Sequence, residues 1–260
     1  MADLQLSFFR QILKLRRSIS APVIFAELAE VPLPRFWWSQ VLGFMHRLAN
    51  MSESSLHRDI LRDNIADALQ SPAIGNWAAG VFKQYASLGL ASPFSGGDIH
   101  CINAHGFQQA QLAREKSVWN GLHISPRNAP SARAKLCTYF RWFARPDCLS
   151  VEPYYELPLP ITKLRSLIHF RVGCHSLPVE QGRLARPRVP RQLRRCTLCT
   201  TCALGDERHY VFDCPHFAGL RLTHAELFQD AAGAMKSLVW HKDQQAVSAL
   251  LLAISTEAQT

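Results

Sequence analysis

Long apolar runs are missing from this chain of 260 residues: no 18 consecutive apolar residues occur, which excludes a conventional membrane-spanning helix. Residues 4–19 are amphipathic and carry Lys14, Arg16 and Arg17, but no small-residue cleavage site follows a clean apolar run, so no secretory signal is expected. Without one, the eight cysteines read as thiols of a reducing compartment and not as a disulfide framework. Acidic residues are few beside basic ones, 20 against 29, and the net charge of +9 points towards a polyanionic partner. Internal repeats and low-complexity segments are absent. Glycine is modest at 13 and proline frequent at 15, so helices should be short and often interrupted. What is present, 48% hydrophobic and 19% charged residues, is globular composition. The length suits one large domain or two small ones and a core that needs no disulfide staples.

Helical spacing dominates the N-terminal part. Leu4, Phe8, Ile12, Leu15 and Ile19 predict a first helix, and Trp37, Val41, Phe44 and Leu48 give one apolar stripe to a second over residues 36–50. A third, capped near Ser52 or Ser55, turns Ile60, Ile65 and Leu69 inward, and a fourth spans 77–88. Residues 92–106 read as a loop and 107–123 as a helix. A helix from Pro160 to residue 172 buries Leu164, Leu167 and Ile168; residues 173–195 read as irregular, and two helices, about 215–229 and 235–254, close the chain. The expected fold is mainly α: a helical region over 1–91, a linker and helix over 92–130, a small zinc-stabilised irregular region within 131–229, and a C-terminal helix and tail over 230–260.

The sharpest chemical signal is Cys196-x2-Cys199-x9-His209-x4-Cys214. Zinc takes four nitrogen or sulfur ligands at tetrahedral corners, and a C-x2-C turn can aim two thiolates at one ion. His209 and Cys214 stand five apart, so a local bend must help bring them together. Three thiolates and a neutral imidazole around Zn²⁺ leave no open coordination position, which marks a structural and not a hydrolytic site. Cys202 and His216 lie close enough in sequence to replace a named ligand.

The second signal is charge placement. Residues 161–196 hold Lys163, Arg165, Arg171, Arg183, Arg186, Arg188, Arg191, Arg194 and Arg195 against Glu180 alone, nearly the whole +9. Guanidinium forks match phosphate oxygens, and Pro187 and Pro190 keep part of this arm extended. Arg183, Arg186, Arg188, Arg191, Arg194 and Arg195 are the candidate phosphate contacts, although Arg183 also suits a pairing with Glu180 three residues earlier.

The string from Leu167 to Arg183, the basic arm, Arg195-Cys196-Thr197-Leu198-Cys199, Asp206-Glu207 before His209, the aromatics between His209 and Cys214, and Leu220-Arg221 together resemble the C-terminal zinc-knuckle (CCHC) region of non-LTR, LINE-type retrotransposon reverse transcriptases. The resemblance covers about 167–221, and Glu152-Pro153-Tyr154 looks like the segment that precedes it in such proteins. It implies zinc-dependent binding of RNA or of an RNA/DNA hybrid, a polymerase-bearing polypeptide as partner, and a nuclear location. The polymerase itself is not in the pattern: two-metal catalysis needs paired carboxylates, and no Asp-Asp occurs anywhere in the chain. No catalysis is therefore expected.

Blander readings compete elsewhere. His175 suits a buried histidine better than a phosphate contact, and Tyr139, Phe140, Trp142 and Phe143, interleaved with Arg141 and Arg145, suit a buried face better than base stacking. Cys174 beside His175 hints at a nucleophile pair, but adjacent residues seldom face each other; Cys101, Cys137 and Cys148 read as packing, and Ser95-Gly96-Gly97-Asp98 with His100 as a surface turn. The competing class for the whole chain is a zinc-folded protein-interaction scaffold with no nucleic-acid role.

Overall fold

The computed structural model describes residues 2–71, 75–94, 104–124, 138–145, 150–231 and 233–258. The chain is predominantly α-helical, and among the described residues the only β-type pairing is one bridge between Arg195 and Leu204. No helix there is long and apolar enough to cross a membrane. The chain divides into two compact units, Met1–Gln5 with Val31–Gly121, and Leu6–Glu30 with Leu122–Thr260. The Ser95–His100 turn, Cys101, Cys137 and Cys148 lie outside the described residues.

The first unit is built on α3 (Leu33–Ala49), α4 (Leu56–Gln70), α5 (Trp77–Ser87) and α6 (Ala104–Ile124), after α1 (Ala2–Leu13) and α2 (Ala21–Leu28). Leu42, Met45, Leu48, Leu61, Ile65, Tyr85, Phe94 and Phe107 form its core. Asn76 caps α5, its side chain accepting from the Ala79 N–H at 2.8 Å while its amide donates to the Asn64 carbonyl of α4 at 2.9 Å. The inward stripes differ from the expected ones. In α3, Trp37 and Phe44 are exposed while Leu42 and Met45 are buried; in α4, Ile60 and Leu69 are exposed while Leu61, Ile65 and Ala68 are buried. Both helices carry apolar residues on more than one face, so period alone does not choose the buried one.

The second unit shows the same correction at the N-terminus. Helix α1 stops at Leu13, and Leu4, Phe8 and Ile12 are exposed while Leu6, Leu13, Leu15 and Ile19 are buried. Lys14 takes a left-handed conformation (φ 53°), and the carbonyls freed there are taken up by side chains: Arg165 Nε donates to Ile12 O at 2.6 Å and His169 Nε2 lies 2.7 Å from Leu13 O. Helix α7 (Ile161–Arg171) packs against the last helix, α12 (Gln244–Glu257); α7 buries Leu167, Ile168 and Phe170, and α12 buries Val247, Leu250, Leu251 and Ile254. The segment expected to be irregular contains a short helix, α8 (Pro178–Leu184). The closing helices are also more broken than expected: α9 (Ala218–Thr223), α10 (Ala225–Ala231), α11 (Met235–Val239) and α12, with Gly233 at φ 74° before α11 and Asp243 capping α12.

At the centre of this unit lies a buried ionic cluster. Glu27 of α2 is 1% exposed and Arg171 of α7 is 3% exposed. Arg171 pairs with Glu27 through Nε and with Glu152 through Nη2 at 2.8 Å. The Glu27 carboxylate also accepts from the Tyr139 hydroxyl at 2.8 Å and the Tyr154 hydroxyl at 2.6 Å. The guanidinium sits over the rings of Phe143 and Tyr154. Tyr139 and Phe143 thus belong to the core, from a wide helical turn (Tyr139–Phe143), and burial raises both tyrosine hydroxyls well above the usual phenol range. Removing one partner of such a cluster strands the other charge out of water. Arg171→Met should cost about 3–5 kcal/mol of unfolding free energy, whereas a change at an exposed position such as Lys83→Met should stay within about 0.5 kcal/mol. Urea unfolding followed by circular dichroism measures both, and a small loss for Arg171→Met would show that the cluster does not hold the unit.

Candidate metal centre

Helix α8 leads into a hairpin-like loop. Cys196 N–H donates to Ala203 O at 2.9 Å and Gly205 N–H to Arg194 O at 2.8 Å, closing residues 196–204 around the C-x2-C turn. Cys202 turns the chain at φ 55°. Val179 N–H donates to Gly205 O at 3.1 Å and so ties the loop to α8. The approach is close: a Cβ on Gly205 would lie 2.8 Å from Pro178 Cγ and 3.1 Å from Cys196 N.

The bend required between the other two ligands is a wide helical turn, His209–Asp213, with Cys214 N–H donating to His209 O at 2.7 Å. In a regular α-helix residues five apart point about 140° away from each other. Bonding one residue further along widens the turn and brings His209 and Cys214 to one side. Asp206 starts this turn, its Oδ1 accepting the His209 N–H at 3.0 Å and its Oδ2 meeting Arg191 at 3.3 Å.

The ligand atoms of Cys196, Cys199, His209 and Cys214 all lie within 4.8 Å of one another. Cys196 Sγ is 3.8 Å from Cys214 Sγ, and Cys199 Sγ is 3.4 Å from His209 Nε2. A tetrahedral ion with metal–sulfur distances of about 2.3 Å and a metal–nitrogen distance of about 2.0 Å has edges of about 3.8 Å between sulfurs and about 3.5 Å between sulfur and nitrogen. The cluster therefore fits a four-coordinate metal ion, with His209 offering Nε2. The thiols differ in the absence of metal: the Thr201 hydroxyl and backbone, then His209 and Cys196, hold Cys199 down to about 6, while burial pushes Cys214 up to about 12. The two alternative ligands fall outside the cluster, since Cys202 is exposed and His216 Nε2 pairs with Glu257 at 3.2 Å.

A buried pair supports the loop from beneath. His175 Nε2 lies 3.0 Å from Glu207 Oε1, and His175 Nδ1 accepts the Leu177 N–H at 3.3 Å, so Nε2 carries the proton and donates to the carboxylate. Burial is the largest single influence and raises Glu207, but the hydrogen bond and electrostatic pull of His175, a backbone hydrogen bond and the charge of Arg191 together hold the carboxyl below its usual range. His175 is thus a buried histidine. The pair escapes notice in the sequence because its members stand 32 residues apart; only the Asp206-Glu207 doublet signals it.

The six candidate arginines do not form one uniform row. Arg186, Arg188, Arg191 and Arg195 are exposed. Arg183 is bound to Glu180 through both Nε and Nη2, the expected pairing. Arg194 is corrected: it is 7% exposed, and its guanidinium donates to Val189 O at 2.9 Å and Val179 O at 2.8 Å, so it braces the loop and is not presented to a phosphate. Two other basic residues of the stretch are also engaged, Arg171 within the buried ionic cluster and the half-buried Arg165 on the carbonyl of Ile12.

Cys196→Ser and Cys214→Ser should each lower the metal bound per chain well below that of the parent protein, while Cys202→Ser and His216→Ala should leave it unchanged. Elemental analysis of dialysed protein checks this, and a loss on Cys202→Ser would transfer a ligand position to that residue. No protein-family model matches this chain, and neither does any curated protein or solved structure.

Proposed function

We propose that the chain is a zinc-dependent nucleic-acid-binding segment that binds RNA, or RNA paired with DNA, and carries out no reaction itself. The observation that carries this reading is the tie between the two signals. The loop holding Cys196 and Cys199 is hydrogen-bonded to Arg194 and to α8, and the segment 185–195 that follows α8 carries the exposed Arg186, Arg188, Arg191 and Arg195. Three thiolates and an imidazole are soft and borderline ligands, which suits Zn²⁺. When bound, the ion supplies no open coordination position, only a fixed crossing point for the loop and the wide turn. The exposed guanidiniums neutralise phosphates and read little sequence. The second unit contains 22 Lys/Arg against 13 Asp/Glu, whereas the first is balanced at seven of each, so the polyanion is assigned to the second unit. The resemblance to retrotransposon reverse transcriptases supports RNA or its hybrid as the ligand, a polymerase-bearing polypeptide as a partner, and action in the nucleus.

A second reading, a zinc-folded protein-interaction scaffold, is favoured by the exposed Phe36, Trp37 and Phe44 of α3 in the first unit, whose charges balance. Competition separates the two: nucleic acid should not displace a protein bound there.

The test uses the full chain and a labelled single-stranded RNA. One zinc per chain is expected, with RNA binding lost on chelation. Four exposed arginines on single-stranded phosphates give a slope of about −3 in log K against log salt, or roughly a fifty-fold loss of affinity between about 50 and 200 mM. Zinc without RNA binding at low salt would favour the scaffold. Affinity that ignores salt would remove the arm as the binding element.

A further inference from the structure

The arm is a closed loop with a hollow in it. Ala185 N–H donates to Gln181 O and Val189 N–H to Gly182 O, both at 2.9 Å, so residues 183–188 leave α8 and return to it. Arg194 pins the return by donating to Val189 O and Val179 O, and its side chain lies so close beneath Gly182 that a Cβ there would meet Arg194 Cγ at 2.6 Å. This loop forms an open concavity of about 320 Å³ lined by Arg183, Leu184, Ala185, Arg186, Pro187 and Arg188.

Charge and shape narrow what fits. Arg183 is neutralised by Glu180, whereas Arg186 and Arg188 form no ion pair among the described residues. Two arginines without an acidic partner among the described residues therefore line one hollow. An internal phosphodiester of a strand brings one negative charge; a terminal phosphate monoester brings about two near neutral pH. The remaining wall is apolar, Leu184, Ala185 and Pro187, which suits the sugar and base attached to a phosphate better than a second phosphate. A loop already closed by backbone hydrogen bonds loses little freedom when it binds.

We infer that the hollow between Arg186 and Arg188 binds the phosphate monoester at the end of a nucleic-acid strand. This rests on the nucleic-acid reading above and deepens it: Arg191 and Arg195 hold phosphates along the strand, and the loop receives its end.

The full chain is titrated with one ten-nucleotide RNA in three forms, with a 5′-phosphate, with a 3′-phosphate, and with hydroxyls at both ends. One phosphorylated form should bind about ten-fold more tightly than the hydroxyl form, the worth of a charge-assisted contact, and the form that does so names the end received. Arg186→Gln with Arg188→Gln should bring the ratio close to one. Arg191→Gln with Arg195→Gln should weaken all three forms alike and leave the ratio standing. Competition by 5′-AMP separates a strand end from a free nucleotide: displacement only at millimolar AMP is expected, and displacement at micromolar AMP overturns the strand-end assignment. Equal binding of the three RNAs overturns this inference alone. Failure of all three to bind at low salt overturns the nucleic-acid reading and this inference with it.

Discussion

One buried carboxylate organises the second unit. Glu27 sits on a short helix near the N-terminus, yet its acceptors are filled by Arg171, Tyr139 and Tyr154 from three distant segments. A charge withdrawn from water demands that all its partners be present together, because each missing one leaves an unpaid desolvation cost. The cluster thus holds α2, the wide turn at Tyr139–Phe143, the turn at Pro153–Glu156 and the end of α7 in one arrangement. The end of α7 is where the metal loop begins. Three residues on from Arg171, Cys174 N–H donates to His169 O at 2.7 Å, and His175 then turns down onto Glu207. The placement of the cysteine loop descends from an ion cluster that contains none of its ligands.

How much of this could be read from the residues follows from the distance between partners. Helices α3 to α7 were legible within a few residues because period and proline placement are local. Which face they bury was not, because Trp37 and Leu42 are both apolar and only the neighbouring helix decides between them. The metal quartet was legible for the same local reason: four ligands fall within 19 positions at the spacing of a turn and a bend. The bend itself was required by the interval between His209 and Cys214, and the structure supplies it as a wide turn. The Glu27–Arg171 pair, 144 positions apart, has no local signature at all.

The arginines show the limit of counting charges. Eight arginines in one stretch look alike in sequence, but burial and bonding divide them into three kinds. Arg171 and Arg194 are structural: one closes an ion cluster and the other bonds two carbonyls. Arg165 and Arg183 are tethered to a carbonyl and a carboxylate. Arg186, Arg188, Arg191 and Arg195 remain at the surface. Guanidinium serves all three uses because its fixed fork of donors suits backbone carbonyls as well as oxyanions. The inner arginines give the outer ones a rigid base.

The wide turn between His209 and Cys214 also bears on how this chain can drift. A hydrogen bond spanning five residues has one residue more than an α-helical turn, and that residue is what brings Cys214 back beneath the imidazole. With the same five-residue interval, ordinary helical winding would turn the thiol about 140° away from the imidazole, out of reach of its companions. The interval of five and the wide turn therefore go together: an interval of four would serve with ordinary helical winding, whose residues i and i+4 share a face. Among descendants of this sequence, any change in the count of residues between these two ligands should therefore be matched by a change in how the turn between them is wound.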